Sequence, residues 1–256
     1  MGKPKTKSKA QIYADTLAKL EEESAKYEAI TNKTTKTAIN KLEKLGQLTA
    51  QANELEPFKD AWELSTTAKT YIKELAKENF YGYSKRIENK YLEKGLINED
   101  EAIKALASVH QAPYVKNTER KSLTWLTGEA DIVDKKAGFI IDIKNAWDIS
   151  TFPAFKEDVN KKVKEAGYDW QQKGYLILWK LKKAFVCYVI TDTPAELVPD
   201  FEDLDLHRME DKHSANKRIS MSDEITLSAE DVKDIKSAYK AANEYFKECL
   251  TELKGK

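Results

Sequence analysis

The chain has 256 residues, 41% of them hydrophobic and 34% charged, and its 43 Lys and Arg balance 43 Asp and Glu. That length and apolar content suit one main domain plus an extension, while zero net charge argues against nonspecific coating of nucleic acid and leaves any DNA contact to local patches. No apolar run approaches the ~20 residues that span a bilayer, residues 1–9 lack the apolar segment of a secretion signal, and two cysteines in no disulfide pattern point to a reducing cytoplasm.

Beyond the lysine-rich opening, Ile12, Leu17, Leu20, Tyr27 and Ile30 recur at helical spacing, and Ile39, Leu42, Leu45, Leu48, Ala52 and Leu55 mark a second helix ending before Pro57. A helical hairpin over residues 1–60 follows, packing on the rest of the chain, self-associating or guiding DNA. From Ala61 further helices lead towards Glu99. Tyr81, Tyr83, Lys85 and Arg86 mix aromatic and basic groups in a way that suits either strand stacking or core packing. A helix is expected to begin at Gly95 and run through Leu106, with Glu99 near its start. His110 reads as a helix-end or packing residue, since a lone histidine seldom signals a ligand.

The most informative segment comes next. Gly128–Val133 and Phe139–Lys144 are rich in β-branched residues, and Asp134-Lys-Lys-Ala-Gly138 between them carries turn chemistry. A four-residue loop pairs Asp134 with Phe139 and sets Asp131 opposite Asp142, while period-two alternation keeps Asp142 and Lys144 on one face. Facing carboxylates repel unless a cation lies between them. An all-oxygen ligand set selects a hard ion, Mg²⁺ or Mn²⁺, able to polarise a phosphate and supply hydroxide, with Lys144 orienting or deprotonating the attacking water. The plainer reading makes Asp131 and Asp142 solvent-facing residues of an amphipathic hairpin, because so short a pattern recurs by chance.

Lys135 and Lys136 in the turn, and Lys156, Lys161, Lys162 and Lys164 downstream, form either phosphate contacts or a solvated charged face. Residues 168–181 read as a helix in which Gln171 and Tyr175, four apart, share a face. Residues 184–190 are a nearly continuous apolar run, the pattern of a strand buried on both faces of a mixed sheet. Residues 194–227 hold no steady period and suggest a loop with short strands, and His207 and His213 assemble no metal motif. Ser228 reads as a cap, and Val232, Ile235, Tyr239, Ala242, Phe246, Cys249, Leu250 and Leu253 form one stripe of a closing helix expected to cover the sheet.

Taken in order, these motifs resemble the PD-(D/E)xK nuclease superfamily, and within it the RecB-like recombination exonucleases of the phage lambda and YqaJ types. Gly95, Glu99 and Ala102 resemble the first motif, Gly128 to Asp131 the Gly-x-x-Asp motif, Asp142-Ile-Lys144 the (Asp/Glu)-x-Lys motif, and Gln171 to Tyr175 the Gln-x-x-x-Tyr motif. The resemblance covers residues 61–192. It implies Mg²⁺ or Mn²⁺ held by Asp131, Asp142 and the carbonyl of Ile143, with Glu99 contributing directly or through water. It further implies that Lys144 activates the nucleophile and that Gln171 and Tyr175 place the DNA strand. Asp142 stands where these exonucleases commonly carry Glu, a shorter reach that would shift the ion without abolishing its binding. Cys187 and Cys249 cannot build the four-cysteine iron–sulfur cluster of some relatives.

The expected fold is therefore α/β, a small central mixed sheet flanked by helices as in restriction endonucleases, with a helical N-terminal extension over 1–60 and a nuclease domain over 61–256. The implied activity is a metal-dependent exonuclease acting from duplex ends in phage recombination or replication, in the cytoplasm of a bacterial host. DNA is the implied partner, with a single-strand annealing protein and a ring-forming homo-oligomer as further options and no membrane. The rivals are an endonuclease of repair, restriction or junction cleavage, and a catalytically weak DNA-binding accessory module.

Overall fold

The computed structural model describes residues 9–56, 62–85 and 89–255. The lysine-rich opening, Pro57, Ala61 and Arg86, all named above, lie outside them. The chain divides into two compact units, Met1–Ser84 with Lys236–Lys256, and Lys85–Ile235.

In the first unit α1 (Lys9–Glu28) and α2 (Lys36–Leu55) pack as the expected hairpin. Thr35 caps α2, its hydroxyl accepting from the Ala38 N–H at 3.3 Å. Glu23 ties the pair together among Lys26, Lys41 and Lys44, and hydrogen bonds from Lys41 and Lys44 hold its carboxyl down to about 2. A third helix, α3 (Thr66–Tyr81), is capped by Ser65 and ends at Gly82, whose φ of 67° favours glycine. Tyr81 at its end and Tyr83 just beyond are exposed.

In the second unit α4 (Lys90–His110) begins earlier than Gly95, because Asn89 supplies the cap by accepting from the Tyr91 N–H at 2.9 Å. Glu99 accordingly lies at mid-helix rather than near the start. Two short strands, β1 (Lys121–Ser122) and β2 (Thr127–Gly128), pair separately. The main sheet holds β3 (Ile132–Asp134), β4 (Phe139–Asn145), β5 (Lys183–Val189) and β6 (Ile219–Met221) in that order, with β7 (Ile225–Thr226) also on β5. Only β4 and β5 run parallel, and α5 (Lys156–Glu165) and α6 (Tyr168–Trp179) make the crossover such a pair needs. The expected first strand over 128–133 is thus divided. Gly128 belongs to β2, and the intervening backbone is drawn to Asn117, whose N–H donates to the Asp131 carbonyl at 2.7 Å and whose amide donates to the Ala130 carbonyl at 2.8 Å.

Alternation along β4 sorts the core. Ile141 and Ile143, with Ile132 and Val189, pack against Ala102, Ile103 and Leu106 of α4. Ile140 faces the other way, with Ala184 against Tyr175, Leu176 and Trp179 of α6. Asp142 and Lys144 share the Ile140 parity and so project towards α6. Last comes α7 (Ala229–Lys254), whose start is fixed by a reciprocal cap: the Ser228 hydroxyl accepts from the Asp231 N–H, and the Asp231 carboxylate accepts from the Ser228 N–H. Among the described residues the chain is an α/β protein with seven α-helices and a five-stranded mixed sheet, the second unit carrying the sheet with helices α4–α6 and the first a helical N-terminal region, as expected.

Candidate active site

The turn between β3 and β4 sets the register on which the site depends. Asp134 Oδ1 accepts from the N–H groups of Lys136 (3.0 Å) and Ala137 (2.8 Å), and Gly138 takes the positive φ of 80° that closes the loop. Asp134 then faces Phe139 and Ile132 faces Ile141. One step further, Asp131 falls opposite Asp142, and its Oδ2 accepts from the Ile143 N–H at 2.6 Å. Lys144 Nζ lies 2.6 Å from Asp142 Oδ2 and 4.5 Å from the centre of the Tyr168 ring.

The electrostatics record a crowded acidic pair. Burial, then the charge of Asp142, pushes the Asp131 carboxyl up to about 7. Asp142, only 2% exposed, is also raised, since burial outweighs the pull of Lys144 and Gln172. Burial alone would lower the Lys144 ammonium, but Asp142 and Asp131 hold it above its ordinary value. The ion pair with Lys144 therefore offsets only part of the cost of two buried carboxylates. Glu99 adds a third acidic influence on both, although its own carboxylate accepts from Lys116 at 2.8 Å. Such a donor set fits a hard divalent cation: it is all oxygen and its members repel one another.

Tyr175 brings the last expected motif to this place. Its hydroxyl accepts from Gln171 Nε2 at 2.9 Å, and burial, then the charge of Asp142, raises its titration. Gly128 makes the approach possible, since a Cβ there would stand 2.6 Å from Tyr175 Cε1. Gly95, by contrast, has nothing within 4 Å of an added Cβ. A cavity of about 360 Å³ opens beside this ring, walled by Gly128, Trp170, Gln171 and Tyr175, with Arg120 among its lining. Of the lysines proposed for phosphate contact, Lys156 is paired with Asp223 at 2.6 Å and Lys135 with Glu119 at 3.5 Å, while Lys162 donates to the Thr151 carbonyl at 2.6 Å. Lys136, Lys161 and Lys164 are exposed or partly so.

Three groups escaped the sequence reading. Lys94, 1% exposed, donates to the carbonyls of Ala146 (2.7 Å), Trp147 (2.9 Å) and Thr191 (2.9 Å), binding α4 to the ends of β4 and β5. Gln172, beside the expected Gln171, is fully buried. Finally, Asp148, Glu202 and His207 bring ligand atoms within 4.8 Å of one another, a second group able to hold a metal ion, although His207 had been assigned no chemistry. Its members are already engaged: His207 contacts Thr193 and Glu202 at 3.1 Å each, Glu202 also takes Lys90 and Trp147, and Asp148 accepts from Ser150 and Thr151. The spacing of 54 and five residues carries no motif that could have announced it.

A phage-related exonuclease from Haemophilus somnus 129PT is similar to this chain, with 33% sequence identity over 77% of this chain and 88% of its own, and a TM-score of 0.72. An alkaline exonuclease from Laribacter hongkongensis shares the fold at 11% identity, over 76% of this chain and 87% of its own, with a TM-score of 0.50. No family model and no curated protein matches the chain.

Proposed function

The chain belongs to the lambda-exonuclease/YqaJ-like group of phage-related exonucleases, and from that premise we propose that it hydrolyses DNA phosphodiester bonds from duplex ends using a divalent cation at the β3–β4 hairpin. The observation that carries this reading is the convergence of Asp131, Asp142 and Lys144, with Asp131 bonded to the Ile143 N–H and Lys144 within 2.6 Å of Asp142. A bound Mg²⁺ or Mn²⁺ would polarise the scissile phosphate and make a water molecule acidic. Asp131, Asp142 and the Ile143 carbonyl would hold it, with Glu99 alongside.

Lys144 is kept as an ammonium by its acidic neighbours, which suits orienting a water and steadying the charge that grows on the phosphate; deprotonating that water would first require Asp142 to be taken up elsewhere. Gln171 donates to the Tyr175 hydroxyl, and the two would place the strand beside the cavity. The shorter Asp142 in place of Glu is compatible with this role, because its carboxylate already lies among the other groups. The residues closing the chemistry fall within 85–235, inside the nuclease domain proposed over 61–256. A role in phage recombination or replication, with a single-strand annealing protein and a homo-oligomeric ring as partners, follows from the same family reading.

The test is a time course with Mg²⁺ on linear and on covalently closed circular duplex. Stepwise loss of linear DNA, absence of attack on circles, and abolition of cleavage by Lys144→Ala with DNA binding largely kept are expected. Nicking of circles would favour the endonuclease reading, and undiminished cleavage by Lys144→Ala would remove this site from the chemistry.

A further inference from the structure

Among the described residues both amide atoms of Gln172 are buried without a hydrogen-bond partner, and Gln172 lies on α6, the helix towards which Asp142 projects. Native structures retain few unsatisfied buried amides, because each has given up the hydrogen bonds it made with water. Gln172 is 0% exposed, on the inner face of α6 one residue from the exposed Gln171. Asp142 and Lys144 project towards this helix from β4, and the Gln172 amide makes no hydrogen bond of normal geometry. Lys144 meanwhile takes Asp142 Oδ2 at 2.6 Å. Leu176 and Tyr175 on the same helix pack into the apolar core. Packing alone would be served as well by leucine or methionine at position 172.

We propose that Gln172 is a positioning residue for Asp142, its amide donating to the carboxylate oxygen left over when a divalent cation draws Asp142 away from Lys144. This rests on the reading that Asp142 is a cation ligand. A partner of this kind fixes the orientation of a ligating carboxylate, and losing one typically weakens metal binding 10–100-fold.

The experiment measures Mn²⁺ affinity by titration calorimetry and the melting temperature without metal, for the full chain and for Gln172→Met, Gln172→Leu and Asp142→Asn. Expected are a metal-free melting temperature unchanged or raised in Gln172→Met, Mn²⁺ affinity lowered about 10-fold or more, and binding at this site lost in Asp142→Asn. Unchanged affinity in Gln172→Met and Gln172→Leu, with Asp142→Asn still defective, would overturn the positioning role alone. Unchanged affinity in Asp142→Asn would overturn both this role and the reading beneath it. Weaker binding accompanied by a lower metal-free melting temperature in both Gln172 variants would assign the residue to packing and overturn the proposal as well.

Discussion

Replacing Asp131 by Asn should stabilise the metal-free protein while destroying its activity. Asn keeps an acceptor for the Ile143 N–H, now at 2.6 Å, and removes one of two repelling carboxylates. Raising this carboxyl from its ordinary 3.8 to about 7 corresponds to about 4 kcal/mol against the ionised form, at about 1.4 kcal/mol per pH unit. Local relaxation and entry of water reduce this, so about 2 kcal/mol is expected, or roughly 4–8 °C in melting temperature for a protein of this size.

The sign follows from linkage. A carboxyl raised on folding binds more protons in the folded than in the unfolded state between about pH 4 and 7, so its contribution to stability falls as pH rises through that window and stays low above it. Thermal melting from pH 4 to 8 in chelator should therefore show the wild type losing stability relative to Asp131→Asn, with the gap largest at pH 8. Addition of Mg²⁺ at pH 8 should raise the wild-type melting temperature and close much of the gap. An Asn variant less stable than wild type at pH 8 would refute the account of the pair as mutually repelling.

Other outcomes follow from the same structure. Gly128→Ala should lower stability by about 1–3 kcal/mol and slow cleavage, because the new methyl meets the Tyr175 ring at 2.6 Å; denaturant melts and single-turnover rates would reveal an unperturbed protein if this is wrong. Lys94→Met preserves volume but strands three carbonyls that the ammonium now satisfies, so a loss of about 3 kcal/mol or more is expected in urea unfolding. Cys187, fully buried with its thiol pushed by burial up to about 12, should resist iodoacetamide at pH 8 in the native state and react once the chain is unfolded, as mapping of the labelled peptides would show.

The hairpin was legible because two independent local signals agree there. The β-branched runs fix the period, and Asp134 with Gly138 fixes the loop, so the pairing of Asp134 with Phe139 and the placing of Asp131 across from Asp142 follow from short-range chemistry. The same holds for Gln171 and Tyr175, which one helical turn brings together. What was hidden depends on contacts distant in sequence. Gly128 looked like the start of β3 because nothing nearby betrays that Asn117 captures the backbone of Ala130 and Asp131. Gly95 looked like a helix start, yet α4 runs through it, the ~1 kcal/mol cost of an internal glycine being outweighed by anchoring through Lys94 next to it. Lys94 and Gln172 are residue types that composition assigns to the surface, and only the assembled sheet shows why one is buried with its bonds made and the other with its bonds open.

The central claim is that the cation resides between the hairpin carboxylates. Anomalous diffraction from crystals soaked in Mn²⁺ tests it most directly, since the structure also offers Asp148, Glu202 and His207 as a second group able to hold a metal ion. The account predicts a peak coordinated by Asp131, Asp142 and the Ile143 carbonyl, absent from Asp142→Asn crystals. A peak at the Asp148–Glu202–His207 group alone, with none at the hairpin, would contradict it.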